Sequence, residues 1–249
     1  MALPHDRSGL LWNDGPTARF TKSMERWINA MYSDDPSDTD VITAGQSVSR
    51  IIAKEDGVLS GRPVLDYLIE NYCNGATTEW NFTEGQGFQK GQEIASIVAK
   101  SDEILKIERI CMNLITRLSG IASTTSKWSE QLGGVYLAAT RKTNWGVLDK
   151  WAVHIGGGLT HRLDRSDGLM IKENDFSMSK LTLEEILSTF RTATDFPVVE
   201  VVSSDQALSV ANSWIELQSG LSTTYQLTLM MDNLGPENCR EFSDRLVDM

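Results

Sequence analysis

The second half of the chain repeats one arrangement of apolar and polar positions four times. In each repeat a short apolar run is followed by a charged residue and then by a stretch whose apolar residues have helical spacing. The apolar runs lie at 135–139, 169–171, 197–199 and 227–231, and the helical stretches at 148–155, 181–194, 205–217 and 236–246. Successive units of this kind predict a parallel sheet covered by helices.

The charged residues that follow these runs are candidates for a ligand site. They are Arg141 and Lys142 after the first run, Lys172 after the second, Glu200 after the third and Asp232 after the fourth. In an α/β barrel the active site is built at the carboxyl ends of the strands, so we expect these side chains to face one pocket. A single charged residue after a strand is as often an ordinary solvated loop position, but four successive cases argue against coincidence.

The first hundred residues show a mixed pattern that predicts a small α+β unit. The predicted elements are a helix at 17–31, a hairpin with its turn at 55–57, a helix from Gly61, and strands with tight turns within 77–100. The helix that follows this unit is capped by Ser101 and ends or bends at Gly120. We therefore expect an N-terminal domain at 1–106 and a second domain at 107–249.

The charge distribution narrows the class of ligand. The formal net charge of the 249-residue chain is −11, yet the stretch 140–174 holds more Lys and Arg than Asp and Glu, together with His154 and His161. Cations concentrated within an acidic chain predict a small anionic ligand rather than nucleic acid, which requires a long basic surface.

Three further features exclude common classes of protein. The first residues lack a signal peptide and no apolar run approaches the roughly 20 residues of a membrane span, so we expect a cytoplasmic protein without a membrane partner. Cys73, Cys111 and Cys239 are widely spaced and odd in number, which indicates neither a disulfide framework nor a zinc site. The common motifs of serine hydrolases, zincins and P-loop enzymes do not occur.

The residue types at the predicted strand ends indicate the chemistry of the site. Arginine and lysine bind carboxylate or phosphate oxygens, and carboxylates beside phosphates commonly hold Mg²⁺. The pattern therefore predicts an anionic substrate and a metal-associated phosphate, with Glu200 and Asp232 as the metal-facing carboxylates. His161 stands beside Arg162 and is the better candidate for ligand binding, whereas His154 is expected to be a packing or surface residue of its helix.

Six segments together resemble the quinolinate phosphoribosyltransferase family. They are ERICMNLITRLSGIAS at 108–123, TRKTNWG at 140–146, KWAVHIGGGLTHRL at 150–163, LMIKEN at 169–174, VEV at 199–201 and MMDN at 230–233. The segment IIAKEDGVLSG at 51–61 resembles the N-terminal hairpin of the family more faintly. The resemblance implies an N-terminal open α/β sandwich followed by a TIM-like α/β barrel. It also implies a homodimer or higher homo-oligomer with shared active sites.

The resemblance also implies a reaction and a role for each matching residue. Quinolinate and phosphoribosyl pyrophosphate would give nicotinate mononucleotide, pyrophosphate and CO₂ in NAD biosynthesis, with Mg²⁺. Lys142, Glu200 and Asp232 would be catalytic, with Lys142 contacting the phosphoribosyl donor and the two carboxylates facing its ribose and, through water, the metal. The residues that would bind quinolinate are Arg141, His161, Arg162, Lys172 and, contributed by the partner subunit, Arg109.

The sequence departs from the family pattern at three places. Glu173-Asn174-Asp175 stands where the family usually has Asp-Asn-His, and the segment between Glu200 and Asp232 is longer than usual. Gly235 is the only glycine after Asp232 in this sequence, whereas the family continues there with further βα units and glycine-containing loops. We therefore expect a barrel without its last units. Two alternatives stay open: an inactive fragment or non-catalytic paralogue that acts as an interaction partner, and a related phosphoribosyltransferase that uses another pyridine or ring acid.

Overall fold

A computed structural model describes residues 5–35, 45–191, 197–219 and 226–247 of the chain. Within these ranges the backbone forms two compact units, one spanning His5–His161 and the other beginning at Arg162. We call them the first unit and the second unit. The predicted domain boundary at 106–107 falls inside a helix that is continuous from residue 101 to residue 131, and it stays a prediction.

The described residues of the first unit form four helices and five strands. A 3₁₀ turn at Ser8–Leu10 precedes helices α1 (Ala18–Asp34), α2 (Arg62–Tyr72), α3 (Ser101–Gln131) and α4 (Val147–Ile155). The strands are β1 (Gln46–Ile52), β2 (Gly57–Val58), β3 (Thr77–Trp80), β4 (Gly87–Phe88) and β5 (Glu93–Lys100). Strand β5 pairs antiparallel with both β1 and β3, while β2 pairs antiparallel with β4.

Two helices of the first unit confirm the signals in the sequence. Helix α1 begins after Thr17, whose hydroxyl accepts a hydrogen bond from the amide of Phe20, and its buried face carries Phe20, Met24 and Ile28 at intervals of four residues. Helix α2 follows Gly61, which has a φ of +105°, and has a proline in its first turn. Both predicted helices are therefore confirmed.

The predicted hairpin with its turn at 55–57 is wrong. Strand β1 pairs along its whole length with β5, and β2 pairs with β4 instead. The two-residue β2 offers too few backbone groups to satisfy the seven residues of β1, whereas the eight residues of β5 can do so. The prediction of strands within 77–100 is confirmed, and the segment holds β3, β4 and β5.

Helix α3 differs from the prediction at both ends. Ser101 is its first helical residue rather than its cap, because the N-cap is Lys100 and the Ser101 hydroxyl donates to the carbonyl oxygen of Gly45 at 3.2 Å. The helix does not end at Gly120 but continues to Gln131. Gly120 is exposed, and outside its own helix backbone and chain neighbours no atom lies within 4 Å of the place a Cβ would occupy.

The predicted strand at 135–139 is wrong. The segment makes one isolated parallel bridge, between Ala138 and Leu159. Val135 and Tyr136 are 67% and 61% exposed, so these apolar residues do not contribute to a buried strand. The first of the four predicted strands is thus reduced to a single bridge that ties the 135–139 segment to the loop after α4.

The second unit is built from successive βα units. Its strands are β6 (Met170–Ile171), β7 (Val198–Val201) and β8 (Thr228–Met231), and its helices are α5 (Glu173–Met178), α6 (Leu183–Arg191), α7 (Ser204–Gln218) and α8 (Pro236–Val247). The strands pair in parallel in the order β6-β7-β8, which confirms the predicted parallel sheet. Residues 192–194 of the predicted helix at 181–194, and 220–225 of the long segment between Glu200 and Asp232, lie outside the described residues.

The core of the second unit lies between the sheet and its helices. Ile171, Val199 and Val201 of the strands pack with Leu187 of α6 and Trp214 of α7, and all five are almost fully buried. Burial of such apolar side chains is the main favourable term in folding, so the sheet is held in place by helices α6 and α7.

Two cysteines of the first unit are buried thiols. Burial raises the pKa of Cys73 to about 11 and that of Cys111 to about 12. Cys239 of α8 is half-buried. In the part of the chain that the structure describes, no helix combines the length and apolar character needed to cross a membrane.

We predict that Gly156→Ala destabilises the first unit. A Cβ at residue 156 would lie 2.3 Å from the Ala122 carbonyl oxygen and 2.7 Å from Thr125 Cβ, so α3 or the end of α4 would have to move. We expect the free energy of unfolding to fall by about 1–3 kcal/mol. The measurement is urea denaturation monitored by circular dichroism.

Gly120→Ala is the matched control for this prediction. It makes the same chemical change at an exposed helical position with open space around it, and should raise the free energy of unfolding by about 0.5–1 kcal/mol. Unchanged stability of Gly156→Ala would contradict the close approach of α4 to α3.

Candidate functional site

The register of β6 and β7 brings two predicted site residues together. Met170 is paired with Val198 and Ile171 with Val199, so one further step places Lys172 beside Glu200. The ammonium group of Lys172 forms an ion pair with Oε2 of Glu200. The Glu200 side chain is only 11% exposed, and this cation compensates for the removal of its carboxylate from water.

Asp232 lies on the neighbouring strand end, on the same face of the sheet as Glu200. Glu200 is paired with Met230, and the amide of Asp232 donates to the carbonyl oxygen of Val201 at 2.9 Å. Side chains alternate between the faces of a strand, so Asp232, two residues after Met230, falls on the face that carries Glu200. The carboxylate of Asp232 accepts a hydrogen bond from the side-chain amide of Asn233 at 3.1 Å.

The positions of these charged residues correct one detail of the prediction. Lys172 and Asp232 directly follow their strands, as expected, but Glu200 is the third residue of β7 rather than the residue after it. Its neighbours Val199 and Val201 point to the buried side of the strand, so Glu200 points to the opposite side. A carboxylate within a strand is held more rigidly than one in the following loop.

The carboxylates of Glu200 and Asp232 fit Mg²⁺ in the way that substrate-bound magnesium is usually held. Mg²⁺ commonly takes one or two carboxylates and completes its shell with waters and phosphate oxygens. Among the described residues no group of three or more His, Cys, Asp or Glu side chains is arranged to hold a metal ion, so an all-protein site is not formed there. Lys172 pairs with one oxygen of Glu200 and Asn233 donates to one oxygen of Asp232, so each carboxylate has one oxygen engaged by a neighbouring side chain.

Arg162 is buried in the loop that leads to β6. Its Nη1 atom donates to the carbonyl oxygen of Gly168 at 2.8 Å, and Nη2 lies 3.5 Å from the sulfur of Met170. Asp167 closes the same loop by accepting a hydrogen bond from the amide of Leu163 at 2.8 Å. Arg162 therefore organises the 162–170 loop, and its predicted contact with substrate stays a prediction.

The departure at Glu173-Asn174-Asp175 has a structural role that the sequence did not reveal. Oδ2 of Asp175 accepts a hydrogen bond from the backbone amide of Lys172 at 2.8 Å. Asp175 is the third residue of α5, and its side chain thus fixes the backbone of Lys172, which pairs with Glu200.

Arg141 and Lys142 lie on an exposed loop of the first unit, between the 135–139 segment and α4. The amide of Lys142 donates to the hydroxyl of Thr140 at 3.0 Å. Farther along the loop, the amide of Trp145 donates to Oδ2 of Asp149 at 3.0 Å, which anchors the loop to the first turn of α4. The loop is thus exposed at its two cations and fixed at its far end.

An ion pair between a half-buried arginine and a buried aspartate, which the sequence did not predict, holds this anchor. Arg117 of α3 donates from Nε and from Nη2 to the two oxygens of Asp149, both at 2.8 Å, and the Asp149 side chain is 4% exposed. The hydrogen bonds to Asp149 raise the pKa of Arg117 above its ordinary value. The guanidinium carbon of Arg117 also lies 4.8 Å from the ring centre of Trp145.

His161 lies in a loop that is fixed from two sides. Its φ is +50°, which is uncommon for a residue with a side chain. The preceding residue, Thr160, accepts a hydrogen bond at its carbonyl oxygen from the buried ammonium group of Lys150 at 2.8 Å. The hydroxyl of Thr160 accepts from the amide of Arg7 at 2.6 Å, so the N-terminal segment also holds the loop.

The two other histidines contact this part of the unit. Nδ1 of His5 lies 3.1 Å from Nδ1 of His161, and burial lowers the pKa of His5. His154 of α4 lies 3.5 Å from the carboxylate of Asp6, and its ring is tilted against that of Trp151. These contacts confirm the predicted packing role of His154.

Arg109 lies on α3, at the edge of a cavity of about 250 Å³. Its guanidinium forms an ion pair with Asp35 at 3.1 Å, and its side chain is 76% exposed. The other lining residues are Met31, Asp34, Ile110 and Asn113. An exposed pair of this kind stabilises the fold little, and the predicted contribution of Arg109 to a partner subunit stays a prediction.

The structure thus places the predicted site residues in separate groups. It joins Lys172, Glu200 and Asp232 at adjacent strand ends of the second unit. In the first unit Arg141 and Lys142 share one loop, while His161 and Arg109 lie on two other segments. The expectation that all of these residues face one pocket stays a prediction.

Family models match both halves of the chain. The family model for the N-terminal domain of quinolinate phosphoribosyl transferase matches residues 38–119, and the model for the C-terminal domain matches residues 121–248. The chain is 31% identical over 171 residues to the decarboxylating quinolinate phosphoribosyltransferase 1 of Nicotiana glauca, over 65% of this chain and 49% of that protein. It therefore spans about half the length of that relative.

Two further comparisons cover more of the chain. A probable nicotinate-nucleotide pyrophosphorylase (carboxylating) of Archaeoglobus fulgidus is 33% identical over 202 residues, which cover 79% of this chain and 73% of that protein. The solved structure of NadC from Streptococcus pyogenes has a TM-score of 0.77 and 25% identity, and the match covers 93% of this chain and 81% of that chain. The likeness confirms the predicted fold class, an N-terminal sheet domain followed by an α/β barrel-like domain.

We predict that Asp149→Asn loosens the anchor of the 140–146 loop. The asparagine keeps one oxygen but loses the charge-assisted, two-point contact with Arg117, and we expect the free energy of unfolding to fall by about 1–3 kcal/mol. Urea denaturation measures the change.

Asp56→Asn is the control for this substitution. Oδ1 of Asp56 accepts one exposed hydrogen bond, from the amide of Lys90 at 2.8 Å, which an asparagine oxygen can keep. Its stability should change by no more than about 0.5 kcal/mol. Equal effects of the two substitutions would show that the Arg117–Asp149 pair does not stabilise the loop.

Proposed function

Because the chain belongs to the quinolinate phosphoribosyltransferase family, we propose that it transfers the phosphoribosyl group of phosphoribosyl pyrophosphate to quinolinate with decarboxylation. The products would be nicotinate mononucleotide, pyrophosphate and CO₂, in the biosynthesis of NAD. The observation that carries the proposal is the arrangement of Lys172, Glu200 and Asp232 on adjacent parallel strand ends. It offers a cation for an acidic ring and two carboxylates for a sugar that becomes positively charged.

The carboxylates suit the first chemical step. The pyridine nitrogen of quinolinate displaces pyrophosphate from a sugar carbon that gains positive charge in the transition state. Glu200 and Asp232 would stabilise that charge, because fixed negative groups in a partly dehydrated site interact strongly with it. Glu200 and Asp232 would also hold Mg²⁺, which would supply positive charge to neutralise the leaving pyrophosphate.

The cations suit substrate binding and the second step. Quinolinate carries two carboxylates, and loss of CO₂ leaves negative charge on the ring, which fixed cations stabilise. We assign this role to Arg109, Arg141 and His161 of the first unit and to Arg162 and Lys172 of the second. Lys142 would contact the phosphates of the donor, for which its exposed position next to Arg141 is suited.

The proposal includes a homodimer or higher homo-oligomer with shared active sites, located in the cytoplasm. The exposure of Arg109 supports a role toward a second subunit, since its ion pair with Asp35 lies at the surface. The retention of the Lys172–Glu200 pair and of Asp232 supports an enzyme over a non-catalytic interaction partner. The alternative that the true substrate is another pyridine or ring acid, rather than quinolinate, is tested by comparing substrates, as described below.

The proposal predicts turnover by the purified chain with quinolinate, phosphoribosyl pyrophosphate and Mg²⁺. Release of nicotinate mononucleotide and CO₂ should require all three. Lys142→Ala should lower kcat/KM by about 10²–10³-fold, because it removes a cation that contacts the reacting phosphates. Lys127→Ala, an exposed lysine of α3, is the control and should leave kcat/KM unchanged within about twofold. Absence of products from the wild-type chain would refute the proposed activity.

Nicotinate is predicted to be a poor substrate in the same assay. It lacks one of the two carboxylates, and the loss of one charge-assisted contact of about 1.5–3 kcal/mol lowers kcat/KM by roughly 10- to 150-fold. Both acids give nicotinate mononucleotide but only quinolinate releases CO₂, so in competition at equal concentration the ratio follows from CO₂ compared with total mononucleotide. Comparable rates would contradict a site built for a dianion and would favour another ring acid.

A further inference from the structure

Three successive residues of the N-terminal segment contact helix α4 and the loop after it, which carries His161. Nδ1 of His5 lies 3.1 Å from Nδ1 of His161, the carboxylate of Asp6 lies 3.5 Å from Nδ1 of His154, and the amide of Arg7 donates to Thr160. All of these residues belong to the first unit. His5 lies outside both regions matched by the family models, which begin at residue 38, so the family match assigns it no role.

The distance between the two Nδ1 atoms imposes a condition on their protons. A hydrogen bond at 3.1 Å requires that one nitrogen carry a proton and the other a lone pair. Two protonated nitrogens would repel each other, and two lone pairs would do the same. A neutral imidazole has a single N–H, so the state of one Nδ1 atom determines which nitrogen is protonated on the other ring.

The surroundings keep the two rings in place. Lys150, which is 1% exposed, fixes the carbonyl oxygen of Thr160, and the amide of Arg7 fixes its hydroxyl. The ring centres of His5 and His161 lie 5.2 Å apart, so the rings are also in contact. Burial lowers the pKa of His5, which favours a neutral ring at physiological pH.

We propose that His5 is a positioning residue whose Nδ1–H group donates to Nδ1 of His161 and so places the single proton of His161 on Nε2. The proposal rests on the proposed function, in which His161 binds a carboxylate of quinolinate. A carboxylate only accepts hydrogen bonds, so the nitrogen that meets it must carry a proton. With its proton on Nε2, His161 accepts from His5 at one nitrogen and donates to the substrate from the other.

Nuclear magnetic resonance of ¹⁵N-histidine-labelled protein tests the proton positions without any substrate. The chain has three histidines, so His5→Ala, His154→Gln and His161→Gln assign every signal. We expect opposite tautomers in the wild-type protein, with His5 protonated at Nδ1 and His161 at Nε2. The Nδ1 tautomer is the minor one for a free imidazole, so its presence in His5 is a specific sign of the hydrogen bond. A proton on Nε2 of His5, or on Nδ1 of His161, would overturn the proposal.

Matched variants connect this arrangement to substrate binding. His5→Ala should raise the KM for quinolinate by about tenfold, the equivalent of one hydrogen bond, with little change in kcat or in the KM for the phosphoribosyl donor. His5→Asn supplies an amide donor and should recover part of this loss. His154→Gln alters the neighbouring contact with Asp6 and should leave the KM unchanged. An unchanged KM in His5→Ala would contradict the positioning role.

The two readouts separate failure of this proposal from failure of the proposed function. A wild-type chain without activity would refute the function, while the nitrogen signals would still decide which ring donates. Circular dichroism and urea denaturation of His5→Ala show whether the fold is intact. A KM effect that accompanies a native-like fold and an altered His161 Nδ1 signal supports the proposal, and a KM effect without that change of signal refutes it.

Discussion

Hydrogen bonding between the parallel strands β6, β7 and β8 is the constraint on which the charged residues of the second unit depend. A parallel register fixes which residues are neighbours, and a shift by one residue would turn every side chain to the opposite face. In the observed register Lys172 lies beside Glu200, and Asp232 falls on the same face one strand away. The same register turns Val199 and Val201 into the core, so burial of apolar residues and placement of charges reinforce each other.

The first unit places polar groups by a different means, through hydrogen bonds of the buried side chains of Asp149 and Lys150. Removing Asp149 from water is costly, and the two-point contact with Arg117 offsets that cost only in one geometry. The buried ammonium group of Lys150 likewise has to meet the Thr160 carbonyl oxygen. Replacing both partners of such a contact by apolar residues changes stability little, whereas removing one partner leaves the other without its counterpart. These contacts therefore select one conformation for the loops that carry Arg141, Lys142 and His161.

The sequence was informative where structure depends on near neighbours in the chain. Helix α1 could be predicted because Phe20, Met24 and Ile28 recur with helical spacing, and the βα units of the second unit because short apolar runs alternate with such helices. The pairing of β1 with β5 could not be predicted, because the local turn at 55–57 favours a hairpin and the paired residues of the true partner are 41–54 residues away. Arg117 and Asp149 are 32 residues apart, and nothing in either local segment indicates the other. The position of Glu200 within β7 escaped prediction for a related reason, since a carboxylate inside an apolar run looks like the end of a strand.

The glycines after α4 bear on how the first unit can move. At Gly156 and Gly158 an added Cβ would meet Ala122, Val153 and the backbone of Leu137 at 2.3–3.0 Å, so main chain lies directly against main chain. Side chains can change rotamer to absorb a displacement, whereas backbone atoms in contact cannot. A displacement of the end of α4 along α3 at Gly156 would therefore require the backbone of α3 to move as well. The exposed side chains of Arg141 and Lys142, by contrast, can change rotamer without any movement of the main chain.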